Sequence, residues 1–193
     1  MPAELVCALR AIPSYYLRYY YQTARVVEEQ RSGHTRAQDV IDIEARLLDL
    51  YRDETLTEKP ALLADRGGAF YSEAAAQLIA SLHDGAGDLQ VVDVRNGGAL
   101  PDLPDSAVVE IPARIDRDGA HPVALEPLAP EMRGLVQTAK AYEELAVAAA
   151  ISGDRRTALR AMIANPLVGW EVAEPLLDAL LEANRPYLPR FFA

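Results

Sequence analysis

Tyr71 stands in the run Arg66-Gly67-Gly68-Ala69-Phe70-Tyr71-Ser72-Glu73-Ala74-Ala75-Ala76, between a glycine pair and the small residues of a helix start. Glycines take backbone angles closed to other residues and leave room for a ligand or a neighbouring domain, so this spacing presents a phenol where a bound molecule can reach it. Arg66 carries a fork of donors suited to a phosphate or a carboxylate, and an arginine ahead of a Gly-Gly turn serves equally well as a structural clamp. Arg95 and Asn96 fall where an apolar run ends in Asn96-Gly97-Gly98. Polar groups at such a strand end either meet a ligand or form the turn.

Other candidates point to structure. His34, His83 and His121 are far apart and show no H-x-x-x-H spacing, so all three read as solvent-exposed rather than as metal ligands. Asp102 and Asp105 bracket Leu103-Pro104, which reads as turn chemistry, and Glu143 and Glu144 belong to a solvated helix face. Cys7 is the only cysteine, which excludes an internal disulfide and suits a reducing cytoplasm. It reads as a small buried residue on a helix, not as a nucleophile. No G-x-G-x-x-G turn follows an apolar strand, so the sequence has no dinucleotide fingerprint.

With 19 basic and 29 acidic residues the net charge is −10, which argues against nucleic acid or an anionic membrane as a partner and makes any phosphate contact local. No run approaches the roughly 20 apolar residues needed to span a bilayer. The amino terminus has no basic region followed by a hydrophobic core, so a cytoplasmic protein, neither secreted nor embedded, is expected.

These residues need elements to hold them. A helical segment from Pro2 to Ala11 is stopped by Pro13, and Ser14 suits an N-cap for a helix rich in tyrosine (Tyr15, Tyr16, Tyr19, Tyr20 and Tyr21), whose rings would pack partly on a second domain or subunit. Thr35 and Gln38 make a capping-box pair for a helix to about Tyr51, with Val40, Ile43, Leu47 and Leu50 recurring at three- and four-residue spacing. A polar connection over 52–65 leads to the glycine pair and a helix from about Phe70 to Leu82, with Leu78 and Ile79 inward. Leu89 to Val94 and Ala107 to Ile115 predict a small sheet, Pro112 suiting an edge or a strand end. Leu135, Ala139, Tyr142, Leu145 and Ala149 stripe a further helix, Gly153 and Asp154 break it, Asn165-Pro166 ends the next, and Glu171 to Asn184 makes the last. The fold class is α+β, helix-rich, with about half of the residues helical and all 193 in a single domain.

The tyrosine motif, together with IPSYYLRYYY (12–21), VVDVRNGGALPDLPDSAVVEIPA (91–113), NPLV (165–168) and LLEANRPYLPRF (180–191), resembles the NAD- and metal-dependent glycoside hydrolases of family 4, within them the 6-phospho-β-glucosidases. The resemblance spans nearly the whole chain but only the carboxyl-terminal half of such an enzyme, with the Rossmann domain absent. It implies a substrate-binding and oligomerisation domain similar to the carboxyl-terminal domain of lactate and malate dehydrogenases. In the family, NAD takes hydride from C3 of the sugar, a tyrosine takes the acidified C2 proton, the aglycone is eliminated, water adds and C3 is reduced again. These enzymes are exceptions to the paired-carboxylate scheme. The resemblance assigns the base to Tyr71. An ordinary phenol has a pKa of about 10, so a cation must favour its phenolate, and a divalent metal, manganese in expectation, does this while polarising the C3 ketone. The settings of the family's cysteine and histidine ligands do not surround Cys7 or His34, so no metal ligand is assigned.

The expected partners are a phosphorylated β-glucoside, the missing Rossmann half and further copies of the chain. Alone, the chain is expected to be inactive. A non-catalytic interaction domain that uses the tyrosine-rich segment and Val172 to Leu181, and action on another phosphorylated or free glycoside, are the alternatives.

Overall fold

A computed structural model describes every residue except His34 and Ala69, so the expectation of a solvent-exposed His34 lies outside the described residues. The chain runs through α1 (Ala3–Leu9), a 3₁₀ turn (Tyr15–Leu17), α2 (Arg18–Tyr21), α3 (Thr23–Ser32), α4 (Arg36–Leu50), α5 (Leu63–Arg66) and α6 (Tyr71–Asp84). Three strands follow, β1 (Asp88–Arg95), β2 (Val108–Asp116) and β3 (Gly119–Pro122), and then α7 (Pro130–Ser152), α8 (Arg155–Ala164), α9 (Trp170–Ala183) and two closing 3₁₀ turns. More than half of the residues are helical, and the three strands form one antiparallel sheet in the order β1-β2-β3. This is the helix-rich α+β class that the sequence predicts. Among the described residues no helix is long and apolar enough to cross a membrane.

Two compact units divide the chain. The first comprises Met1–Tyr21, Asp93–Ile111 and Pro122–Ala193. Its helices α7, α8 and α9 enclose Ala149, Ala158, Leu177 and Leu181, with Leu188 and Phe191 from the closing turns packed on them. The small side chains let α7 and α8 approach closely. Gly153 ends α7 at φ 73°, and Asp154 caps α8 by accepting from Arg156 N and Thr157 N (3.3 and 2.9 Å), as the predicted break requires. A second cluster, Ala99, Ala107, Val109 and Ile111 with Leu125, lies under the loop after β1.

The second unit comprises Gln22–Val92 and Pro112–His121. The expected capping box forms at its α4: Thr35 accepts from Gln38 N, and the Gln38 side chain accepts from Thr35 N at 2.8 Å.

Several expectations are corrected. Cys7 is exposed: α1 is two turns long and buries Leu9, and a residue two positions away lies on the far side of the helix. Ser14 makes no side-chain cap, and the tyrosine segment opens as a 3₁₀ turn in which Leu17 N donates to Ser14 O at 2.9 Å. Ile79 is 66% exposed, since the inward line of α6 passes through half-buried Leu78 and buried Ser81.

Pro112 sits in the middle of the central strand rather than at an edge. Gly87 N to Ile115 O and Asn96 N to Ala107 O show that odd-numbered residues of β2 turn their backbone toward β1. Pro112 therefore points its missing N–H the other way, past the end of the four-residue β3, and no ladder bond is lost.

Candidate active site

In the second unit, α5 is a single turn that cannot hold itself and is anchored on α4. Arg36, the first residue of α4, donates from Nη2 to the carbonyls of Asp65 (2.7 Å) and Arg66 (3.0 Å). Arg66 donates from Nε (3.0 Å) and Nη2 (2.6 Å) to one oxygen of Glu44, further along the same helix. Both pairs are exposed to solvent, so geometry rather than raw Coulomb energy is their contribution.

The chain then passes through Gly67 (φ 97°) and Gly68 (φ 78°), backbone angles that other residues adopt only under strain. Gly68 is needed for a second reason. A Cβ there would lie 2.7 Å from two ring carbons of Tyr71, so the ring rests against the glycine backbone. Tyr71 N donates to Gly68 O at 3.1 Å and α6 begins. Tyr71 is 78% exposed, and among the described residues its hydroxyl makes no hydrogen bond. A phenol oxygen open to solvent and without a partner among the described residues is available to a substrate.

Arg66 and Tyr71 thus share one unit, whereas Arg95 and Asn96 belong to the other. Of the two roles the sequence leaves open for Arg66, the bidentate hold on Glu44 favours the clamp. Arg95 is exposed and donates from Nε to Asp105 O (3.2 Å), which leaves the rest of its guanidinium directed at solvent.

Asn96 is corrected. It is 1% exposed, its amide nitrogen donates to the carbonyls of Leu100, Leu103 and Pro104 (2.9, 2.9 and 3.1 Å), and its oxygen accepts from Leu100 N at 2.7 Å. A side chain saturated by the loop that it closes has nothing left for a substrate.

Asp102 also ties a loop, its Oδ2 accepting from Leu128 N at 2.6 Å. His83 and His121 are exposed beside Asp84 and Asp116 (3.0 and 2.9 Å). Glu143 and Glu144 lie on the exposed face of α7 as expected. Arg36 and Glu44 were missed by sequence reasoning. They lie 29 and 22 residues from their partners, a separation at which no pattern in the sequence signals contact.

The described residues do not fit a metal or a dinucleotide. Among the described residues no three His, Cys, Asp or Glu side chains converge, and no glycine-rich turn connects a strand to a helix with phosphate-binding spacing.

Residues 2–168 match the family 4 glycosyl hydrolase C-terminal domain, and the chain belongs to that family. It is 43% identical over 194 aligned residues to a probable 6-phospho-β-glucosidase of Bacillus subtilis, covering 98% of this chain and 44% of the relative. It is 35% identical to the 6-phospho-β-glucosidase BglT of Thermotoga maritima, covering 97% of this chain and 45% of the relative. The structure of the Thermotoga maritima 6-phospho-β-glucosidase with manganese, NAD+ and glucose 6-phosphate superposes with a TM-score of 0.89 at 34% identity, over 97% of this chain and 45% of that one. The chain therefore spans less than half the length of the curated relatives that it matches.

Proposed function

We propose that residues 1–193 form the substrate-binding and association part of a 6-phospho-β-glucosidase and supply its proton-abstracting base. In a complete enzyme of this kind, bound NAD and a divalent metal such as manganese supply the oxidation and polarisation of the sugar at C3. No step through either group is assigned to this chain, because its residues do not fit them. Tyr71, as its phenolate, accepts the proton from C2 of the oxidised sugar: the O–H bond forms at the phenolate oxygen, the C2–H pair becomes the C1–C2 double bond, and the C1–oxygen bond breaks with its electron pair, the aglycone oxygen taking up a proton from water. Arg95 contacts the sugar phosphate through the donors that Asp105 does not use.

The observation that carries this reading is the exposed Tyr71 hydroxyl, without a partner among the described residues, on a glycine-shaped turn in a chain 43% and 35% identical to 6-phospho-β-glucosidases. The test is hydrolysis of a chromogenic 6-phospho-β-glucoside with NAD, manganese and reductant, by the chain alone and with the amino-terminal half of a family member. Activity is expected only on complementation, and Tyr71→Phe is expected to lower it by about 10²- to 10⁴-fold, the usual contribution of a general base. Full activity of Tyr71→Phe refutes the assignment.

The exposed residues Val172, Leu176 and Leu180, four apart on α9, favour a second role in association between copies of the chain. Sedimentation of the wild type against Leu176→Glu tests it, with a smaller species expected for the variant.

A further inference from the structure

We infer that Arg36 and Glu44 are positioning residues for Tyr71, an assignment that rests on the base reading above. Nothing grips the Tyr71 side chain from outside its own turn. It is 78% exposed, its hydroxyl has no partner among the described residues, and only Gly68 backs its ring. Its position is therefore set by its backbone, by α6 on one side and by the segment that leads into it on the other.

That backbone is poorly determined by local forces. Two consecutive glycines at φ 97° and 78° carry the largest conformational freedom of any residue type. The helix before them is one turn of four residues, far below the length at which a helix stabilises itself. The phenol of α6 has no side-chain N-cap at Phe70 to fix its start.

What restrains the segment ahead of the glycines is α4. Arg36 grips the last two carbonyls of α5 from one nitrogen, and Glu44 holds the Arg66 side chain by two contacts. The Thr35–Gln38 capping box fixes the end of α4 that carries Arg36. A Cβ on Gly67 would stand 3.9 Å from Arg36 Nη2, so the clamp also borders the first glycine. Residues 65 and 66 are thereby attached at two points directly before the glycine pair, which limits where the chain can enter α6. Both groups act through the backbone of residues 65–68, and neither need touch the sugar.

Two measurements test this. Hydrogen exchange on the 193-residue chain reports the turn directly. Arg36→Met and Glu44→Ala are each expected to speed exchange of the Tyr71 amide by about 10-fold, the factor for loss of one charge-assisted hydrogen bond, with the amides of β1 and β2 unchanged. Glu44→Gln keeps an acceptor and is expected to show a smaller effect.

In the complemented enzyme, Arg36→Met is expected to lower kcat by about 10- to 100-fold with little change in KM, the loss that follows a misplaced reacting group. The isotope effect with substrate deuterated at C2 should rise, because proton abstraction becomes the slow step. A variant that merely unfolds more loses kcat without that rise.

Unchanged exchange at Tyr71 overturns the inference. So does an unchanged C2 isotope effect in a complemented enzyme that Tyr71→Phe inactivates, in which case the base reading survives alone. An active Tyr71→Phe overturns the base reading, and the exchange result then still judges the clamp. If Arg36→Met does not fold, the Glu44→Ala and Glu44→Gln pair decides by the same readouts.

Discussion

Replacing Asn96 by alanine removes a buried amide whose two N–H groups are shared among the carbonyls of Leu100, Leu103 and Pro104 and whose oxygen accepts from Leu100 N. Two of the carbonyls it serves keep another partner, since Leu103 N donates to Leu100 O and Ala107 N to Pro104 O. Leu100 N and Leu103 O are left with none among the described residues. Three ordinary hydrogen bonds at about 1 kcal/mol each, with at least about 1 kcal/mol for each of two stranded backbone groups, place the loss at about 5 kcal/mol or more. Urea unfolding followed by circular dichroism and by the fluorescence of Trp170, the only tryptophan, measures it. Asn96→Asp keeps the shape but aims a carboxylate at three carbonyl oxygens, so at neutral pH it should be worse than alanine. Its folded-state pKa is raised above the unfolded value. The extra penalty is therefore absent below about pH 3.9 and grows as the pH rises toward the folded value. A loss under about 1 kcal/mol for alanine, or equal losses for the two variants at neutral pH, refutes the assignment of Asn96 as the residue that closes this loop.

Gly153→Ala places a Cβ 2.3 Å from the backbone oxygen of Arg190 at φ 73°, and a thermal melt should report a loss of about 2–4 kcal/mol. Gly119→Ala meets no atom within 4 Å and should cost less. Asp154 has its carboxyl held below the usual range, first by the Thr157 hydroxyl and then by the Thr157 N–H. A lowered folded-state pKa means that its contribution is present above the ordinary carboxylate value and is lost as the pH falls through the lower one. The Tm difference between wild type and Asp154→Ala should therefore be full at neutral pH and shrink in acid. Tyr71→Phe, by contrast, should leave the unfolding midpoint unchanged, because the hydroxyl has no partner among the described residues to lose.

Features with local causes were legible in the residues. The Thr35–Gln38 box, the break at Gly153 and Asp154 and the extended run from Ala107 to Ile115 formed as read, because each depends on residues close together in the sequence. The same local rules failed at Ser14, where an N-cap residue met a 3₁₀ turn, and at Ile79, where the helical stripe fell one residue away. Burial of Cys7 failed because α1 turns only one narrow line of residues inward.

The residue types and spacing around Tyr71 were enough to single it out, since a glycine pair before a helix start limits what the backbone can do and leaves a phenol open. Arg66, Arg95 and Asn96 were equally plausible as ligand contacts from sequence. Tertiary structure separated them by placing Glu44 against Arg66, leaving most of Arg95 in solvent and folding the 97–107 loop around Asn96. A polar side chain has a fixed number of donors and acceptors, and only the folded chain determines which of them are already taken.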